Sequence, residues 1–321
     1  QDVSVRAIRQ KDLCMTQDLQ RKRHVIIGGS NKCGTTSLFR YLGDHPDIVL
    51  CSKKELGFFN QRPSDPGKDY ADYLSNFPHS SKSDYLLEAT PTYLDGGETI
   101  ARRIKDLLDR PKVVFILRDP VSRLISYYRS KHGMQGSAVA GIPFDQFLNT
   151  ALNDAQEIDP NSPERGKFGW QLIKAHYGHF LCKWLEVFDQ SDIHVALFDQ
   201  FSASPGDVTQ SVCTFLEVDP GAYDDYLFSV ENKSRKHRSS MLRTLASRTN
   251  ELAEPLLNRI PGIRKGLRAG YDSINVAANP QFQLDTNLEA KLTEYFRTHN
   301  AHTAEVLTNR LGMSTLPDWL R

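Results

Sequence analysis

A chain of 321 residues is long enough for one large α/β domain or two smaller ones. Its 39% hydrophobic and 25% charged residues are expected of a soluble globular enzyme, and a formal net charge of +1 argues against a general nucleic-acid binder, which needs a concentrated basic surface. No apolar run approaches the ~18 residues of a membrane span, and the five cysteines (Cys14, Cys33, Cys51, Cys182, Cys213) show neither C-x-x-C nor metal-ligand spacing, which suits a reducing compartment.

Residues 1–22 are polar, without apolar periodicity, and read as an arm. His24–Gly28 is a first strand, followed by a Gly-rich loop and a helix over Thr36–Asp44 that stops at the breaker Gly43-Asp44-His45-Pro46. Ile48–Cys51 and Tyr85–Glu88 read as further strands. Between them lie an exposed loop at 60–69, rich in Pro, Gly, Asp and Lys, and a short helix over Tyr70–Phe77. Thr99–Leu108 has helical spacing of Ile100, Ile104, Leu107 and Leu108. Val113–Leu117 is apolar throughout, as a parallel strand covered on both faces must be. Helices are predicted over Pro143–Leu152, Gln171–Phe188, Val208–Leu216 and Leu288–Leu311, with a fifth strand at Ile193–Phe198. Basic residues 240–283 read as helical segments broken at Pro261-Gly262. Strands alternating with helices across 24–216 imply one parallel sheet.

The loop after the first strand, Gly28-Gly29-Ser30-Asn31-Lys32-Cys33-Gly34-Thr35-Thr36-Ser37-Leu38, is the most informative segment. A strand feeding a loop that opens a helix presents backbone N–H groups and a positive dipole end to a phosphate-like anion. The glycine spacing from Gly29 to Gly34 fits a P-loop, but Thr35 stands where that motif needs lysine, and the lysine, Lys32, sits inside the loop. This favours one 5′-phosphate-type anion with a transferred group over a β,γ-phosphate pair with magnesium.

Lys32-Cys33-Gly34-Thr35-Thr36-Ser37-Leu38 resembles the 5′-phosphosulfate loop of sulfotransferases that use 3′-phosphoadenosine 5′-phosphosulfate (PAPS). Val113 through Tyr128, with Arg118-Asp119-Pro120 and Ser126 eight residues beyond the arginine, resembles that family's 3′-phosphate site. The resemblance implies an α/β, P-loop-type three-layer fold with about five parallel strands. It covers roughly 22–238 and 284–320, so 23–321 reads as a single domain with 240–283 as an acceptor-side insertion. It also implies PAPS as co-substrate, with Lys32, Cys33, Gly34, Thr35, Thr36 and Ser37 at the 5′ end and Arg118 and Ser126 at the 3′ end. Lys233-Ser234-Arg235-Lys236-His237 is similar to the family's loop that closes over the nucleotide, so Lys233, Ser234 and Arg235 join the cofactor set. Leu292 through Asn300, with Trp319, resembles the closing helix and terminal tryptophan.

Sulfuryl transfer is an in-line displacement in which positioning and electrostatic stabilisation do most of the work. Lys32 would offset the charge on the departing phosphate, unless it is merely a solvated loop residue. Lys54-Glu55-Leu56-Gly57-Phe58-Phe59 resembles the base segment of glycosaminoglycan O-sulfotransferases, which makes Glu55 the base for the acceptor proton. The plain alternative is an ion pair with Lys53 or Lys54. His45 is the rival base, by similarity to the aryl and steroid enzymes. Glu88-Ala89-Thr90-Pro91 is similar to an acceptor-lining Glu-Lys-[Ser/Thr]-Pro segment, which assigns Glu88 and Thr90 to the acceptor. Ala89 replaces its lysine and removes a positive charge. Glu88 could instead pair with a basic neighbour, and Arg123 with a surface acid.

The acceptor is expected to be a sugar or glycoconjugate, accepting at a hydroxyl or an amine; no metal, nucleic acid or membrane segment is called for. A P-loop kinase and a non-catalytic module binding PAPS or a sulfated glycan are the other readings. Cytoplasmic placement is expected, the alternative being the trimmed luminal part of a Golgi-type enzyme.

Overall fold

Every residue of Val113–Leu117 is fully buried, as its unbroken apolar run requires. The computed structural model describes residues 23–60, 70–78, 85–161, 166–228, 236–237, 276–277 and 285–321. Its central sheet has five parallel strands, β1 (Arg23–Gly29), β2 (Ile48–Leu50), β3 (Tyr85–Ala89), β4 (Lys112–Leu117) and β5 (Ile193–Leu197), in the order β2-β3-β1-β4-β5. The chain builds β2 and β3 on one side of β1, then crosses to build β4 and β5 on the other. The order reverses at β1, and the crevice beyond the carboxyl ends of strands at such a reversal is where sheets of this kind take ligands.

Helices α1 (Thr35–Gly43), α2 (Tyr70–Leu74) and α3 (Gly97–Leu107) connect the first four strands. Four more, α4 (Pro120–His132), α5 (Phe144–Glu157), α6 (Trp170–Ile173) and α7 (Tyr177–Leu185), lie between β4 and β5. After β5 come α8 (Phe198–Ala203), α9 (Pro205–Leu216) and α10 (Thr286–Glu305), which ends in a π-helical turn over Val306–Arg310. No helix among the described residues is long and apolar enough to cross a membrane.

The single helix predicted over Gln171–Phe188 is two helices, α6 and α7, separated at Lys174–His176. The interruption seats His176 against α10, its ring stacked on His299 with centroids 3.5 Å apart and its Nε2 3.0 Å from the Tyr295 hydroxyl. Gly178 then packs so closely on α10 that a Cβ would lie 2.9 Å from the Thr303 backbone nitrogen. Its own N–H donates to Thr303 Oγ1 at 3.0 Å. Strand β5 stops one residue earlier than predicted because Phe198 opens α8. Within 240–283, read as helical, Val276–Ala277 forms a strand (β7) paired antiparallel with Lys236–His237 (β6). The rest of that segment, like residues 1–22, lies outside the described residues.

One ionisable group sits in the sheet itself. Glu88 on β3 is fully buried; Thr90 and Tyr93 donate their hydroxyls to its Oε1 at 2.9 and 2.5 Å, while Oε2 has no hydrogen-bond partner. Burial pushes its pKa up to about 7, against the hydrogen bonds that pull it down. Between the ordinary value of 4.5 and about 7 the folded chain therefore binds more protons than the unfolded chain. This contribution makes stability fall as pH rises through that window. Glu88→Gln should accordingly gain about 2–3 kcal/mol on wild type between about pH 5 and about pH 8 in paired denaturant titrations. An unchanged difference at the two pH values would contradict the buried-carboxyl account.

Candidate active site

The loop between β1 and α1 opens at the carboxyl end of the central strand. Ser30 N–H donates to the Ile116 carbonyl of β4 at 2.8 Å, which anchors the loop to the neighbouring strand. Lys32 sits at φ 66 and Gly34 at φ 88, both left-handed, and the second conformation explains why glycine precedes α1. Gly34 is the N-cap of α1 and supplies no side-chain cap; Ser37 N–H donates to the Gly34 carbonyl at 2.9 Å, which leaves the N–H groups of Thr35 and Thr36 to face an anion. Cys33 points into the core, where burial pushes its thiol up to about 11. It can offer the crevice only its backbone. Thr35 and Ser37 are buried and Thr36 is half-buried.

Arg118 follows β4 and closes the same crevice from the other side. One terminal nitrogen donates to the Lys32 carbonyl at 3.1 Å, its guanidinium lies 4.3 Å over the Phe198 ring, and the Tyr177 hydroxyl donates to its carbonyl at 3.0 Å. Asp119 caps α4 through Ser122 N–H at 2.9 Å with Pro120 at the first helical position. That cap sets the helix carrying half-buried Ser126.

The expected surface pairing of Arg123 is not what the structure has. Arg123 is fully buried, donating to Asn31 Oδ1 at 2.8 Å and to the Gln171 carbonyl. It is a strut beneath the loop, joining it to α6. Sequence reasoning also missed Lys131, in the last turn of α4. Lys32 is held below its ordinary pKa first by burial, then by the nearby charges of Lys131 and Arg118. Burial lowers Arg118 as well. Nothing local in the sequence signals either residue: the partners of Arg123, Asn31 and Gln171, come from distant parts of the chain.

Glu55 lies just past β2, also at φ 63. Its segment is stitched to the end of β3: Glu55 N–H donates to the Ala89 carbonyl (3.0 Å), Gly57 N–H to Thr90 Oγ1 (3.1 Å) and Asn60 Nδ2 to Thr92 Oγ1 (2.9 Å). Backbone residues held at positive φ without being glycine store strain and concentrate at functional sites. Lys32 and Glu55 are two of the four such residues among those described. The Glu55 carboxylate is exposed and accepts from Lys54 Nζ at 2.9 Å, so the plain ion-pair reading describes its resting contact. Its charge is also felt at Lys32. Thr90 is buried with its hydroxyl used twice, and Glu88 pairs with hydroxyls, not with the basic neighbour its alternative reading required. His45 is buried far from solvent: Nδ1 accepts from Asp47 N–H at 3.1 Å and Nε2 reaches the Asp219 carbonyl at 2.9 Å. Both nitrogens are occupied, which argues against a base role. Lys233, Ser234 and Arg235 lie outside the described residues. Trp319 docks on α8, donating from Nε1 to Asp199 Oδ2 at 3.0 Å.

Three motifs from distant parts of the chain thus meet at the carboxyl ends of adjacent strands. Residues 22–304 match the family model described as a sulfotransferase domain. The chain is 27% identical over 302 residues to the bifunctional heparan sulfate N-deacetylase/N-sulfotransferase 1 of Mus musculus, and 26% identical to the Homo sapiens protein of that name. Each match takes in 92% of this chain but 30% of the relative, so the chain spans about three-tenths of the length of the curated relatives it matches. The crystal structure of a sulfotransferase from Alicyclobacillus acidocaldarius has the same fold, with a TM-score of 0.61 and 21% identity over 94% of this chain and 99% of that one. The chain belongs to the sulfotransferase domain family.

Proposed function

We propose that this domain transfers a sulfuryl group from PAPS to a hydroxyl or amine of a carbohydrate acceptor. The observation that carries the proposal is the hydrogen bond from Arg118 to the Lys32 carbonyl. It couples the loop suited to a 5′-phosphate with the arginine suited to a 3′-phosphate, as one doubly phosphorylated nucleotide requires. The relatives' names supply the acceptor class, since they act on heparan sulfate.

In this reading the α1 N-terminus, with the Cys33 and Gly34 backbone and the Thr35, Thr36 and Ser37 side chains, holds the 5′-phosphate. Arg118 offers a planar two-pronged donor set and Ser126 a hydroxyl to the 3′-phosphate. Lys233, Ser234 and Arg235 are assigned to closure over the nucleotide. The acceptor oxygen or nitrogen forms a bond to sulfur as the bond from sulfur to the 5′-phosphate oxygen breaks. The acceptor proton passes to Glu55 and the leaving phosphate keeps the electron pair, its charge offset by Lys32. Glu55 must exchange Lys54 for the acceptor to do this. Thr90 and Glu88, packed behind the Glu55 segment, position it and the acceptor edge.

Turnover measured with sulfur-labelled PAPS and an oligosaccharide acceptor tests the roles. Lys32→Ala should lower kcat by about 10²–10³, and Glu55→Gln by about 10²–10⁴. Undiminished turnover in Lys32→Ala would overturn the mechanism. The pH profile carries a second expectation. Lys32 acts only when protonated, and burial with two neighbouring cations lowers its pKa. Activity should therefore fall on the alkaline side at lower pH than an ordinary lysine dictates. Lys32→Arg should move that limb upward, because guanidinium stays charged; an unmoved limb would assign it to another group.

A further inference from the structure

Arg123, one turn into α4, has its guanidinium fully enclosed by the fold. Two of its nitrogens donate, one to Asn31 Oδ1 at 2.8 Å and one to the Gln171 carbonyl, while Nε has no hydrogen-bond partner. Both acceptors are neutral. Among the described residues no carboxylate forms an ion pair with Arg123. Asp119, one turn before it, commits its carboxylate to the Ser122 N–H. A guanidinium stays charged at any working pH, and a buried charge without a counter-ion is costly. Hydrogen bonds to an amide and a carbonyl offset only part of that cost.

This charge lies behind the loop suited to a phosphate. Asn31, which it holds, precedes Lys32 and stands three residues before Gly34, the N-cap of α1. The Cys33 thiol of the same loop is pushed up by burial, against the pull of Arg123 and then of Arg118. Arg123 has no exposed surface, so it cannot touch a ligand in the crevice. It needs no contact, because a Coulomb field is weakly screened inside a protein and crosses a layer of backbone. Resting on the reading of this loop as the 5′-phosphate site, we infer that Arg123 is a buried cation whose counter-ion is the nucleotide's 5′-phosphate, and that its charge sets the affinity of the loop for that anion. The hydrogen bond to Asn31 keeps the charge centred under the loop. The nucleotide, once bound, balances it from the other side.

Calorimetric binding of adenosine 3′,5′-bisphosphate to the full chain separates the charge of Arg123 from its shape. Arg123→Lys keeps the charge and gives up the two-pronged contact, whereas Arg123→Gln keeps a planar amide donor and gives up the charge. Arg123→Gln should weaken the bisphosphate at least about tenfold, and Arg123→Lys should bind it at least about threefold more tightly than Arg123→Gln. A strut that works by shape alone gives the reverse order or equal losses, and either result overturns the inference. If the Arg123 variants do not fold, Asn31→Asp decides, from a half-buried position that sets a carboxylate on the guanidinium. The ligand-free Asn31→Asp chain should unfold at a higher urea concentration than wild type, and the gain should persist in high salt, since a buried pair is little screened. A midpoint that does not rise, or a rise that salt abolishes, overturns the inference. Absence of bisphosphate binding by the unmodified chain would instead strike at the sulfotransferase reading.

Discussion

Like charges repel, and this fold, besides burying Lys32, holds Lys131 and Arg118 close enough to it that its positive charge is harder to keep. Arg118 and Arg123 bear that arrangement by lending their donors to oxygens of the loop itself, the Lys32 carbonyl and Asn31 Oδ1. Phe198 places an aromatic face beneath Arg118, where its quadrupole favours a guanidinium. The loop thus keeps one shape while its positive field stays unspent. In the proposed reaction a doubly phosphorylated ligand would relieve that repulsion, so affinity and catalysis would draw on the same stored interaction.

The opposite wall is organised differently. Glu55 owes its place to backbone and hydroxyl contacts with the end of β3, and the innermost of these, Thr90, bonds in turn to Glu88. A carboxyl that the core keeps partly protonated therefore lies two hydrogen bonds from the segment carrying the proposed base. The electropositive crevice and this rigid polar edge meet above β1, the strand at which the sheet order reverses.

Much of this was legible in the sequence because it depends on local pattern. The unbroken run Val113–Leu117 could only be a covered strand, and the displacement of lysine from position 35 to position 32 is visible without coordinates. The features that escaped depend on tertiary contact. Arg123 reads as a surface residue until the loop and α6 close around it. Lys131 lies on the far end of α4 and meets Lys32 only through the fold. The interruption of the predicted Gln171–Phe188 helix has no glycine or proline at Lys174–His176; it follows from where α10 must dock. Thr90 illustrates the same limit, since its neighbours in sequence resemble an acceptor edge, yet its hydroxyl is committed to the Glu55 segment.

In the proposed complex one nucleotide is gripped at both phosphates, by the Lys32 loop and by Arg118. Calorimetric titration of the intact chain with adenosine 3′,5′-bisphosphate and with adenosine 5′-monophosphate measures this grip directly. The bisphosphate should bind at least about tenfold more tightly, because the second phosphate adds a charge-assisted contact, and its affinity should weaken with added salt. Equal affinity for the two nucleotides, or no heat from the bisphosphate, would contradict it.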